Sequence, residues 1–242
     1  MSDSAWSLCP KLEDRLRYDL PVTVFQPNLT SRVLLKAAES VVSRVDGSIL
    51  ELGCGSGWIS RSLIESCNVD PAVVHLSDIS NLATSEAESN LENIVPRANI
   101  KTGDGLEPWF GSKFGLIIND IAGISDQIAA VSDWYRDIPY AAGTDGLSNS
   151  RNILSKVRSY LTPTGIYIVP LISLSDTTAH MDLLVSEFRT VSVFGTTWWP
   201  LPENLADEIE GLGHKFVDAS GITLRKKYGK TLAFTEVAIC EC

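Results

Sequence analysis

The sequence predicts an α/β fold: a mostly parallel sheet with helices on both faces and an antiparallel hairpin at the C-terminal end. Three observations point there. Short aliphatic runs alternate with helix-length segments along most of the chain, the pattern of parallel strands joined by crossover helices. One such run, Ile49-Leu50-Glu51-Leu52, opens directly into a bend with glycines at alternate positions, Gly53, Gly55 and Gly57. Toward the C-terminus, β-forming residues stand on either side of Lys-Lys-Tyr-Gly-Lys, which reads as a hairpin turn.

Taken in order, residues 1–45 read as helical, with an extended interruption at 20–27 where Pro21 and Pro27 limit helix continuation. Strands are expected at 48–52, 73–77, 98–102, 114–119 and 165–172, with helices between them. Ser80 is placed to cap a helix over 82–92, and Asp176 one over 177–188, because short polar side chains accept from the free amides of a helix start. The hairpin pairs 222–225 with 231–239. No internal repeat or linker divides the chain. It is expected to be a single domain, with an N-terminal helical or lid segment (1–45), a ligand-binding core (46–175) and a C-terminal substrate-side extension (176–242).

Bulk properties narrow the function classes. At 242 residues, 44% hydrophobic and 21% charged, the chain can bury a full α/β core. Its net charge of −10 disfavours nucleic acid and anionic membranes as partners. Cys9, Cys54, Cys67, Cys240 and Cys242 are odd in number and scattered, which fits a reducing compartment better than a disulfide framework. No leader-like segment precedes Trp6 and no apolar run approaches bilayer length, so the expectation is a cytoplasmic protein. His75, His180 and His214 lie far apart, and Cys240 and Cys242 lack partners at metal spacing; no metal is expected.

The glycine bend fits neither common phosphate-binding motif. A dinucleotide fingerprint would need its third glycine where Trp58 stands, and the Gly229-Lys230-Thr231 sequence has Leu224 where a P-loop needs its first glycine. What remains is Glu51-x-Gly53-x-Gly55-x-Gly57, an acid followed by a backbone that a ligand can approach without meeting a Cβ. Further acids close the next two strands: Asp78 in HLSDIS and Asp104 in KTGDGLEP. Each alone reads equally as a cap or turn residue.

Together these residues resemble the first motifs of the class I S-adenosylmethionine-dependent methyltransferases. The resemblance implies a Rossmann-like, seven-stranded sheet and S-adenosyl-L-methionine as cofactor. It implies that Glu51 orients the methionine end, Asp78 holds the ribose hydroxyls and Asp104 accepts from the adenine amino group. Gly53, Cys54, Gly55, Gly57, Ile79, Gly105 and Asn119 would complete the cofactor site. VFQPNLTSRVLL, through Phe25, Pro27 and Thr30, and AAGTDGLSNSRNIL, through Gly143, Asp145 and Gly146, further resemble the HemK-like release-factor glutamine methyltransferases. The chain departs from that subfamily where its Asn-Pro-Pro-Tyr motif should stand: here the residues are Asn119-Asp120-Ile121-Ala122. Asn119 keeps an amide acceptor, whereas Asp120 introduces a carboxylate able to hold a cationic amine, act as a general base or cap the next helix. Residues 1–45 are also short for a release-factor docking domain. A fainter similarity to protein arginine methyltransferases, in the stretch 165–170 and Thr196-Thr197-Trp198, lacks their paired glutamates; Asp120 and Asp126 stand there instead.

Aromatic residues supply candidates for the acceptor side. Phe25, Trp134, Tyr140, Trp198 and Trp199, with Tyr135 as a further candidate, can close over a flat or cationic group, or plug the side of the sheet. The expected activity is in-line methyl transfer to an amine or amide nitrogen of a small molecule or peptide, with Asn119 and Asp120 carrying the acceptor. An oxygen acceptor and a noncatalytic cofactor-binding module are the alternatives, and the oligomeric state is not legible. The bend itself yields a test: Gly55→Val removes S-adenosylmethionine binding in calorimetry, and unchanged affinity would refute the assignment of the bend.

Overall fold

The computed structural model describes residues 24–121, 123–135 and 140–242. The helical reading of the first 23 residues, and Ala122, lie outside them. The described chain enters through an irregular stretch and then α1 (Leu29–Val42), whose first turn is closed by the Asn28 carboxamide accepting from Thr30 N at 2.8 Å and Ser31 N at 3.3 Å. Leu34, Leu35, Ala38 and Val41 form one buried stripe on this helix, against the sheet.

Five parallel strands follow: β1 (Ile49–Leu52), β2 (Val74–Asp78), β3 (Ile100–Thr102), β4 (Phe114–Asn119) and β5 (Leu161–Ile172). Every residue of β1 and of β4 is buried, as strands covered on both faces require. Alternate residues face opposite layers. Leu50, Leu52, Ile117, Tyr167 and Val169 join one core, and Ile49, Leu116, Ile118, Ile166 and Ile168 the other. Between and beyond the strands lie α2 (Trp58–Cys67), α3 (Asn81–Asn90), α4 (Asp126–Val131), α5 (Ser148–Val157) and α6 (Thr177–Glu187). Ser80 and Asp176 cap α3 and α6 as expected, accepting from Ala83 N and Ala179 N.

The remaining elements are β6 (Thr190–Pro200), α7 (Glu203–Leu212), α8 (His214–Ala219), β7 (Arg225–Lys227) and β8 (Lys230–Glu241). The sheet has eight strands where seven were expected, ordered β3-β2-β1-β4-β5-β8-β6 with β7 on the outer part of β8. β8 runs antiparallel to both β5 and β6. The expected hairpin is present with its first arm at Arg225–Lys227 and not at 222–225: β7 and β8 pair Lys227 with Lys230 across Tyr228 and Gly229, both at positive φ (51° and 73°), the turn that matches strand twist. The unexpected strand is β6. Its side chains are partly or fully exposed on both faces, so its sequence lacks the apolar alternation that marks a half-buried strand.

Register then positions the functional edge. Leu52 lies beside Ser77 on β2 and Asn119 on β4, and Asp78 beside Thr102 on β3, so the loops after these strands leave the sheet along a common edge. Among the described residues no helix is long and apolar enough to cross a membrane, and no three His, Cys, Asp or Glu side chains group to hold a metal ion. Because Asn28 satisfies two amides at the start of α1, Asn28→Ala lowers unfolding stability by about 1 kcal/mol, measurable by urea denaturation.

Candidate functional site

At that edge the chain after β1 turns through Gly53, Gly55 and Gly57 at φ 69°, 51° and 75°. The amides of Gly53 and Cys54 both donate to Ser77 O, at 2.9 and 3.0 Å, which anchors the bend to β2. The three glycines do different work. A Cβ on Gly53 would stand 2.9 Å from Ile121 N and 3.0 Å from the Asp120 carbonyl, so this glycine lets the loops after β1 and β4 touch. Gly55 meets only Phe25 O, at 3.6 Å, and faces a cavity. Gly57 starts α2 with its missing Cβ 2.9 Å from Leu91 Cδ1; it packs inward and does not line the cavity.

The acids converge on that cavity, of about 210 Å³, which Glu51, Asp78, Asp104 and Asp120 all line. Asp78 braces the bend: its Oδ2 accepts from Gly55 N at 3.0 Å and its Oδ1 from Ser80 N at 2.9 Å. Burial raises its carboxyl above the ordinary range, and those backbone donors partly offset the shift. Glu51, 1% exposed, accepts on Oε2 from the backbone N (2.9 Å) and the hydroxyl of Ser60 in α2. Its carboxyl is pushed up to about 8, chiefly by burial, with the Ser60 hydroxyl opposing and the Asp120 charge adding. Asp104 and Gly105 line the cavity from the turn after β3, held by Gly103 N donating to Asp78 O, and Ile79 stands at the rim, 59% exposed. Cys54 lines the wall as a buried free thiol.

After β4, Asp120 N donates to Leu52 O, which turns the side chain into the cavity. Its Oδ2 accepts from the Ser31 hydroxyl of α1 at 3.0 Å, and among the described residues Oδ1 accepts no hydrogen bond. Burial pushes this carboxyl up to about 7; Ser31 opposes the shift and the Asp78 charge adds to it. Asp120 caps no helix, since α4 starts at Asp126 after Ser125. The structure does not bring Asn119 to the cavity. As the next residue along the strand it points to the opposite layer, where Nδ2 donates to the Tyr167 hydroxyl at 2.7 Å and Oδ1 accepts from Ile121 N at 3.2 Å. Ser31 had no sequence signal, because its relation to Asp120 spans 89 positions and exists only once α1 packs across the strand ends.

Aromatic side chains complete the far wall. Phe25 stands 5.6 Å from Tyr135, Tyr135 6.0 Å from Tyr140, and Trp134 5.7 Å from Trp199, between ring centroids, and all five rings line the cavity. Trp199 is held by its Nε1 donating to Thr235 Oγ1 at 3.1 Å, and Thr235 in turn contacts Thr30 of α1 at 3.2 Å. Trp198 is not part of this wall. Alternation along β6 turns it outward, 36% exposed against Phe234, with the Arg225 guanidinium 5.9 Å away. Gly143, Asp145 and Gly146 form a turn beside α4: Asp145 pairs with Arg151 at 2.6 Å, and a Cβ on Gly146 would fall 2.6 Å from Ser175 Cβ. Asp126 accepts from Ala142 N at 2.7 Å and takes no place in the lining.

The donor set fits S-adenosylmethionine. Bare amides at a positive-φ bend allow close approach, strand-end carboxylates can accept from hydroxyls and an ammonium, and no Lys, Arg or His among the described lining residues invites a phosphate. Glu51 also carries a pH signature. Folding raises its pKa from 4.5 to about 8, so the native chain binds the extra proton. Its contribution falls as pH rises between those values, by up to about 1.4 kcal/mol per pH unit, and levels off above pH 8. Glu51→Gln flattens that slope in denaturation curves taken from pH 5 to 9; an unchanged slope would contradict a protonated Glu51.

Comparison with known proteins agrees with this fold. Residues 26–120 match the methyltransferase small domain. Two curated relatives, each called a bifunctional methyltransferase, from Rickettsia typhi and Rickettsia prowazekii, are 28% identical over 173 residues, 68% of this chain and 33% of theirs. The chain thus spans about a third of the length of these relatives. Among solved structures, the ribosomal protein L11 methylase of Lactobacillus delbrueckii subsp. bulgaricus aligns with TM-score 0.55 at 14% identity, covering 91% of this chain and 82% of that one. The Thermus thermophilus 16S rRNA N2 G1207 methyltransferase, solved with AdoMet and guanosine, aligns with TM-score 0.51 at 13% identity, covering 89% of this chain and 43% of that one. Residues 26–120 thus resemble a methyltransferase small domain, and the described chain as a whole has a Rossmann-like methyltransferase fold.

Proposed function

We propose that this chain transfers a methyl group from S-adenosylmethionine to a nitrogen of a small molecule or peptide held between Asp120 and the aromatic wall. The observation that carries this reading is a single continuous cavity: the glycine bend with Asp78 and Asp104 at one end, Asp120 with Phe25, Trp134, Tyr135, Tyr140 and Trp199 at the other. In this reading Gly53, Cys54, Gly55, Asp78, Ile79, Asp104 and Gly105 cradle the cofactor, and Glu51 holds the start of α2 and the methionine end. Asn119 acts as a positioning residue, holding the loop that bears Asp120 through its bond to Ile121 N.

The cofactor supplies the methyl group on a sulfonium, a leaving group that needs no acid. What this chain supplies is orientation and proton removal. A nitrogen nucleophile must offer a lone pair in line with the methyl–sulfur bond, and a carboxylate with a pKa near 7 can take its proton at neutral pH. The kinship with glutamine methyltransferases is supported by Phe25, Pro27, Thr30 and the turn at Gly143. Asp120 in place of the first proline, with the Asn119 carboxamide engaged by Tyr167, favours an acceptor other than a glutamine amide. Structural likeness extends over protein and RNA methylases alike and does not select an acceptor; the acid lining, without a basic side chain among the described residues, disfavours a phosphate-bearing one. The free thiols Cys54, Cys67, Cys240 and Cys242 fit a reducing, cytoplasmic setting.

The test is turnover. With a panel of amines, the chain releases S-adenosylhomocysteine with kcat/KM rising through about pH 7 as Asp120 ionises. Asp120→Asn lowers kcat by roughly 100-fold and removes that limb of the pH profile, with cofactor affinity changed less than about threefold. Full turnover in Asp120→Asn would overturn the role given to Asp120, and cofactor binding without turnover on any acceptor would replace the enzyme with a binding module.

A further inference from the structure

Resting on that reading of the cavity, we infer that the acceptor end is a box for a cationic amine: the substrate enters as an alkylammonium, held by the Asp120 carboxylate and by the faces of Tyr135, Trp134, Tyr140, Trp199 and Phe25.

Charge balance is the first argument. Glu51, Asp78, Asp104 and Asp120 line the cavity, and no Lys, Arg or His does so among the described residues. Two of these acids are already engaged by the chain, Glu51 by Ser60 and Asp78 by the amides of Gly55 and Ser80. Among the described residues Asp120 has a single neutral donor, the Ser31 hydroxyl, on one oxygen, and nothing on the other. Withdrawn from water, a carboxylate stays charged only beside an opposite charge or a full set of donors, and the described side chains around it provide neither. A cationic ligand provides the first.

Ring geometry is the second. The rings meet at tilted or edge angles, 37° for Phe25–Tyr135, 60° for Trp134–Trp199 and 68° for Tyr135–Tyr140, so none of these pairs is a parallel stack. These rings share one cavity with the Asp120 carboxylate, an environment that attracts an alkylammonium and gives a neutral isostere no electrostatic gain. The third argument is negative: an amide substrate needs a paired donor and acceptor, and the carboxamide beside Asp120, that of Asn119, lies outside the cavity and is bonded to Tyr167 and Ile121.

The chemistry balances. Asp120 takes a proton from the ammonium and frees the nitrogen lone pair. As the N–C bond forms the C–S bond breaks, and its electron pair stays on sulfur as a neutral thioether. The methylated nitrogen carries the positive charge, and the Asp120 proton leaves to solvent. One cationic acceptor and one sulfonium thus give one methylated ammonium, one thioether and one proton.

Choline and its neutral isostere 3,3-dimethyl-1-butanol separate charge from shape. Titrated calorimetrically into the full chain, with and without S-adenosylhomocysteine, choline binds about tenfold more tightly than the isostere. Asp120→Asn and Tyr135→Leu each bring that ratio toward one; should Asp120→Asn fail to fold, Tyr135→Leu carries the comparison. Equal affinity of the two probes, binding of neither, or a ratio unchanged in the folded variants overturns the box. S-adenosylhomocysteine binding is read in the same experiment: its absence sinks the methyl-transfer reading, while the probe ratio still decides the box.

Discussion

A contact without a side chain governs the geometry of this edge. Gly53 lies so close to the backbone of Asp120 and Ile121 that a Cβ would fall within 3.0 Å of three backbone atoms. With only hydrogen there, the loop after β1 and the loop after β4 pass each other at van der Waals distance, and Asp120 N can reach Leu52 O. Were the two loops to separate, the bend and Asp120 would no longer share one wall. Gly55, by contrast, meets nothing closer than 3.6 Å, so its absent side chain leaves room for a ligand and not for the protein. Neighbouring glycines of one motif thus serve opposite ends, packing and recognition.

The second consequence is electrostatic. Parallel strands ending in register bring carboxylates together that repel one another, and each is accommodated differently. Glu51 is buried deeply enough to keep a proton near neutral pH and is bonded to Ser60. Asp78 stays anchored by backbone amides, donors that also shape the bend. Asp120 accepts the Ser31 hydroxyl on Oδ2, and among the described residues no donor reaches its Oδ1. The cavity is consequently polarised, with a braced end at the glycine bend and an uncompensated end among the rings. Methyl transfer between two ligands calls for such a division, because one partner is held mainly by backbone while the other must be placed by side chains and relieved of a proton.

Much of the edge was legible in the linear sequence. The five parallel strands, the caps Ser80 and Asp176, the Tyr228-Gly229 turn and the acids Asp78 and Asp104 follow from local rules: periodicity, capping chemistry and glycine conformation. β6 was missed because an edge strand exposed on both faces carries no alternating apolar pattern. Trp198 and Trp199 were indistinguishable as neighbours, and so were Asn119 and Asp120. In each pair, strand alternation sends one side chain to the cavity and the other away from it, and a shift of one residue would have reversed both.

Local sequence alone therefore determined the α/β class, the glycine bend, the acids at the strand ends and the cofactor type they fit. These depend on backbone preferences and on residues within a few positions of one another. Tertiary structure decided which of those groups face a ligand. Ser31 reaches Asp120 from α1, Trp199 is fixed by Thr235 on β8, and Tyr167 withdraws Asn119 into the opposite layer. The physical reason is that direction and burial of a side chain are set by register and by packing against distant segments, and burial in turn sets the charge a carboxyl carries.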